Sequence, residues 1–98
     1  MYKMFIDDIR DPPSNDYVVV RSSNEALTYI KKNGMPSFIS FDHDLGGDDT
    51  TMVFLRKLVD CVWNGDDIPP DYIVHSANPV GSKNIVSFMD SWKRSTEI

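Results

Sequence analysis

Phe38-Ile39-Ser40-Phe41-Asp42-His43-Asp44-Leu45-Gly46-Gly47 runs from a mainly apolar tetrad straight into three ionisable side chains and then a glycine pair. Strands with apolar residues at consecutive positions are usually buried on both faces of a parallel sheet, and open α/β sheets bind ligands beyond the carboxyl ends of such strands. The stretch therefore predicts a central strand that delivers Asp42, His43 and Asp44 to a functional edge. The bland alternative is an acidic loop that merely stops a strand.

Working outward, Tyr2 to Ile6 reads as a first strand that runs into Asp7-Asp8 and the proline-broken segment Arg10-Asp11-Pro12-Pro13. Tyr17 to Val20 is β-branched and apolar, a second strand. Ser22 and Glu25 give a capping-box signature, and the helix that follows closes at Lys31-Lys32-Asn33-Gly34. Beyond the central strand, Asp48 to Thr51 supply N-caps for a second helix, in which Leu55, Leu58, Val59 and Val62 recur until Asn64-Gly65. Tyr72 to His75 is the fourth strand. Ile85, Phe88, Met89 and Trp92 place a third helix, expected to be capped by Ser82.

Alternating strands and helices imply a parallel, three-layer α/β domain spanning residues 1–98. The ten residues between Ile6 and Tyr17 suffice for an extended return along a short strand without a helix. A right-handed crossing of the first helix over strand one then gives the order 2-1-3-4, with strands one and three at the centre. Strand ends roughly 4.8 Å apart bring Asp7 or Asp8, Asp42 and His75 into one crevice.

Composition narrows the chemistry. The net charge of -5 comes from 13 Asp against 2 Glu, and eight of those Asp fall in the segments 7–16 and 42–49. An Asp excess points to caps, turns and ligand sites rather than to a solvated helix face. An acidic chain is a poor non-specific binder of duplex nucleic acid, whose affinity comes from Lys and Arg. The lone Cys61 makes no intrachain disulfide, no segment has the length or apolarity of a membrane span, and Asp7 and Asp8 stand where a signal peptide would be apolar. A soluble protein of the reducing cytoplasm is expected.

Crowded carboxylates repel one another unless a cation sits among them. Oxygen ligands without Cys favour magnesium, with manganese as an alternative and zinc less suited because no zinc spacing is present. Asp8 and Asp42 are the first expected ligands, Asp7 and Asp44 the second candidates, the alternative being that Asp7 and Asp44 only cap their turns. His43 and His75 both fall at strand ends beside carboxylates, as proton transfer requires; either could instead be structural. Ser76, Asn78 and the helix start at Gly81-Ser82 form a candidate phosphate cradle, against an ordinary Asn-Pro turn with a serine cap. Arg10 is placed to clamp a phosphate or to neutralise Asp7 or Asp11.

An acidic pair after strand one, Asp42 after strand three and Ser76 after strand four resemble the response-regulator receiver domain, which implies that this chain is a truncated form of that Rossmann-like, flavodoxin-like fold. The likeness implies a phosphoacceptor at Asp42, although the receiver's fifth strand and its lysine have no counterpart. Ile6-Asp7-Asp8-Ile9-Arg10-Asp11-Pro12, Ser40-Phe41-Asp42-His43-Asp44-Leu45-Gly46 and His75-Ser76-Ala77-Asn78-Pro79 with Gly81 more closely resemble the cyclic-phosphate-processing receiver domains. That resemblance implies action on a cyclic phosphate of an RNA end or nucleotide, in RNA repair or phage-host conflict. The residues and the resemblance lead to the expectation of a metal-dependent phosphoesterase in which Asp42, His43 and His75 are catalytic; a non-catalytic module binding a nucleotide or partner protein is the alternative.

Overall fold

Met4, Ile6, Ile39 and Phe41, alternate residues of two neighbouring strands, are fully shielded from water, and the rest of the molecule is assembled on them. The computed structural model describes residues 2–96. Its strands β1 (Lys3–Ile6), β2 (Tyr17–Val20), β3 (Phe38–Phe41) and β4 (Asp71–Val74) pair in parallel in the order β2-β1-β3-β4. Three α-helices complete the receiver-like α/β fold: α1 (Ser23–Asn33), α2 (Thr51–Lys57) and α3 (Pro79–Ser95). Strand order, parallel sense and helix count are those the sequence implied.

Local chemistry sets the helix ends. Ser22 Oγ accepts the Glu25 N–H at the start of α1, and Gly34, at φ +90°, donates its N–H to the Ile30 carbonyl at the end. Thr50 caps α2, which does not run on as an α-helix to Asn64; a single π-helical turn covers Leu58–Val62. No sequence signal marks that change. Helix α3 begins three residues before the expected Ser82 cap: Asn78 is its N-cap, accepting the Gly81 N–H, and Pro79 occupies the first turn. Proline suits that position because its missing N–H would have no partner there anyway.

The layers are unevenly filled. Side chains alternate across a strand, so Met4, Ile6, Ile39 and Phe41 share one face. The buried apolar side chains of all three helices, among them Leu27, Leu55 and Met89, pack with those four in a single cluster. The opposite face carries Phe5, Ser40 and Ile73, and Ile73 is half exposed. The connections β1 to β2 and β2 to β3 run in opposite directions across the sheet, so the right-handed rule assigns the proline-containing β1–β2 segment to that second face. The third layer of the expected sandwich is thus a loop rather than a helix. Among the described residues no helix is long and apolar enough to cross a membrane.

Candidate functional site

Ile6, Phe41 and Val74 lie level in the sheet, so the next residues, Asp7, Asp42 and His75, emerge side by side. Their backbones still belong to the ladder: the N–H of Asp7 donates to the Val20 carbonyl, that of Asp42 to Ile6 and that of His75 to Phe41. Alternation puts all three side chains on the helix-free face. Asp7 is completely buried and Asp42 nearly so. One oxygen from each of Asp7, Asp8 and Asp42 lies within 4.8 Å of the others.

Asp7 is the most constrained of the three. Its Oδ1 accepts the N–H groups of Ile9 (3.0 Å) and Arg10 (2.8 Å), and its Oδ2 lies 2.9 Å from His75 Nε2. Burial pushes this carboxyl up, but the N–H groups of Arg10 and Ile9 and the His75 ring outweigh it, so Asp7 titrates below the ordinary aspartate value. The turn that supplies those N–H groups is tied down by Arg21, whose guanidinium donates to the carbonyls of Asp7 and Arg10. Among the described residues the Asp42 side chain makes one hydrogen bond, from the His43 N–H to Oδ1 at 2.9 Å, and its carbonyl accepts the Thr51 hydroxyl. Asp8 stands beside Gly46, where a Cβ would come 3.5 Å from Asp8 Oδ2; φ of +91° there suits glycine.

The two histidines differ. His75 has Ser40 Oγ 2.7 Å from Nδ1 as well as Asp7 on Nε2, and its ring lies flat on Phe5, centroids 4.5 Å apart and planes 3° from parallel. His43 has Asp44 Oδ1 3.1 Å from Nδ1 and no protein partner on Nε2 among the described residues. The His43 ring and the Asn78 amide hold the Asp44 carboxyl below its ordinary value.

A search of family models matches residues 2–91 to the cyclic-phosphate processing receiver domain. The chain belongs to that family. No match was found among curated proteins or among solved structures.

Placed in this receiver-family frame, the residues expected to hold phosphate separate. Arg10 donates from Nη1 to the His75 carbonyl at 2.9 Å and stands 3.9 Å from Asp7, with its guanidinium about half exposed. Ser76 Oγ accepts the Asn78 N–H at 3.1 Å, which leaves its hydroxyl proton to donate. Asn78 is engaged at both ends, by the Gly81 N–H and by Asp44. The cradle expected at Gly81-Ser82 is not free: the Gly81 N–H goes to Asn78 Oδ1 and the Ser82 N–H to the Asn78 carbonyl, because the helix starts earlier. Gly81 serves packing instead, since a Cβ would meet His43 Cγ at 2.3 Å.

Sequence reasoning passed over Ser40 and Arg21, and took Asp49 only as a cap candidate for α2, a place Thr50 fills. Asp49 accepts both the N–H and the hydroxyl of Ser23, which fastens the loop after β3 to the start of α1. Ser40 had a visible signal, a polar residue inside an otherwise apolar strand; Arg21 had none, and nothing in the sequence pointed Asp49 to Ser23. Three clustered oxygens suit a hard divalent cation. Three ligands on one octahedral magnesium need at least two of their three separations near roughly 3 Å, the spacing of adjacent ligands at its metal–oxygen distance, so side chains gathered within 4.8 Å of one another would draw closer to hold it. Asp8 and Asp42 keep the most acceptor capacity, and Asp44 lies outside the cluster.

Proposed function

We propose that this domain is a metal-dependent phosphoesterase acting on a cyclic phosphate of an RNA end or nucleotide. The reading is carried by one observation: carboxylate oxygens of Asp7, Asp8 and Asp42 gathered at the strand ends of a chain whose family processes cyclic phosphates. Opening the ring adds water across one P–O ester bond, leaving a phosphomonoester and a free hydroxyl. His43 is suited to the proton transfer. Its Nδ1 is oriented by Asp44, which Asn78 braces in turn, and its Nε2 is free to take a proton from water or give one to the leaving oxygen. Arg10 and Ser76 supply donors for phosphate oxygens. Magnesium, or manganese, held by Asp8 and Asp42 with Asp7 would neutralise charge developing on those oxygens.

A second reading, a module that binds a nucleotide or partner protein without turning it over, is favoured by the engagement of both His75 nitrogens, which among the described residues leaves only the imidazole nitrogen His43 Nε2 without a partner. The two separate cleanly. RNA bearing a 2′,3′-cyclic phosphate is incubated with the protein and magnesium, manganese or EDTA, and its ends are resolved by mass. The enzyme reading expects metal-dependent opening that falls at least about a hundredfold in Asp42→Asn and in His43→Ala. Saturable binding with every substrate intact would replace it with the binding module, and a mass gain on Asp42 from a small phosphodonor would make that residue a phosphoacceptor.

A further inference from the structure

We infer that Ser40 and Phe5 are positioning residues which set the Asp7 carboxylate through the His75 ring; the inference rests on reading the carboxylate cluster as a cation site. Ser40 is 2% exposed, in a β3 position where an apolar side chain would pack. Its hydroxyl reaches His75 Nδ1 instead, while His75 Nε2 reaches Asp7 Oδ2. A ring held at both nitrogens cannot exchange a proton with a bound molecule without giving up one of those bonds. Its effect is therefore exerted on Asp7.

The geometry fixes the direction of each bond. An ionised carboxylate only accepts, so Nε2 presents its N–H to Asp7 and Nδ1 faces the Ser40 hydroxyl. Turning the ring over would put carbon where each nitrogen now stands and lose both contacts. Phe5, stacked flat beneath the imidazole, opposes that rotation on the face where no helix does so. With Ile9 and Arg10 on Oδ1 and His75 on Oδ2, three of the roughly four acceptor positions of Asp7 are taken. What remains serves the cluster with Asp8 and Asp42. Outer hydrogen-bond partners of this kind typically govern about tenfold to a hundredfold in metal affinity.

The test titrates Mn²⁺ into the whole chain by electron paramagnetic resonance, for the wild type, Ser40→Ala, Ser40→Thr and Phe5→Leu. Urea unfolding serves as the folding control. In parallel, the ¹⁵N–¹H spectrum of the His75 ring is recorded without metal. The inference expects Ser40→Ala to unfold cooperatively, to lose the protected Nε2 proton and to bind Mn²⁺ about tenfold more weakly. Ser40→Thr, which keeps the hydroxyl, restores both, and Phe5→Leu weakens binding in the same direction. Wild-type affinity in Ser40→Ala, or a threonine variant no better than the alanine one, overturns the inference and leaves the cation reading intact. A wild type that binds no Mn²⁺ overturns both.

Discussion

The two faces of the sheet are made by the same strands and have opposite characters. Toward the helices, β1 offers Met4 and Ile6 and β3 offers Ile39 and Phe41, all fully buried in one apolar cluster. Toward the open side the intervening residues, continued one step past each strand, are Phe5 and Asp7, then Ser40 and Asp42, with His75 beside them. Strand periodicity lets one segment carry two sets of instructions, one residue in two for the core and the next for chemistry. A face covered by a loop instead of helices can bury a carboxylate at its rim because the loop brings polar partners, as the N–H groups of Ile9 and Arg10 do for Asp7.

That contrast predicts a sharp asymmetry between adjacent positions. Phe41→Ala empties a site in the core and should cost about 3–5 kcal/mol in urea unfolding, a large share of a small domain's stability. Asp42→Asn keeps an oxygen for the His43 N–H and removes one of several crowded like charges, so its stability should equal or exceed the wild type's. Equal destabilisation by the two would erase the distinction between the faces.

A smaller effect is expected where the faces meet. Gly81→Ala would stabilise an ordinary helix interior by about 1 kcal/mol. Here the new Cβ lands 2.3 Å from His43 Cγ, so overpacking of about 1–3 kcal/mol should prevail and turnover should fall with the displaced ring. A more stable, fully active Gly81→Ala protein would show that His43 does not depend on that contact.

The least effect concerns pH. Asp7 titrates below its ordinary value in the folded chain, so below about pH 4 the unfolded chain binds the proton more readily. The contribution of Asp7 to stability is complete above that pH and is lost as pH falls through its folded value. Asp7→Asn should flatten this acid limb in a series of unfolding curves; an unchanged limb would mean that the hydrogen bonds to Asp7 do not favour its charged form.

Much of this was legible in the chain. Apolar tetrads, the Ser22 cap and Gly34 gave the elements and, with the handedness rule, the strand order. Asp7, Asp8 and Asp42 were recognisable as one cluster because they end strands that must be neighbours. What escaped depended on partners instead of position. Asn78-Pro79 reads equally as a turn or as a cap followed by the first helical residue; taking Ser82 as the cap started α3 too late and left the Gly81 and Ser82 N–H groups, which Asn78 takes, as a candidate cradle. His43 and His75 look equivalent in sequence; the approach of Ser40, Phe5 and Asp7 to one ring and of Gly81 and Asp44 to the other separates them. The uneven layering follows from a loop standing in for a helix, which the Pro12-Pro13 pair announced without saying which face would stay open.

The central claim is that the open-face rim formed by Asp7, Asp8 and Asp42 is a divalent cation site. Substoichiometric Mn²⁺ added to isotope-labelled protein, followed by paramagnetic broadening of backbone amides, tests it most directly. The account predicts that the amides of Asp7, Asp8, Asp42 and His43 broaden first and that Asp8→Asn abolishes the effect. Broadening centred on another acidic stretch, such as Asp66 and Asp67, or none at the rim, would contradict it.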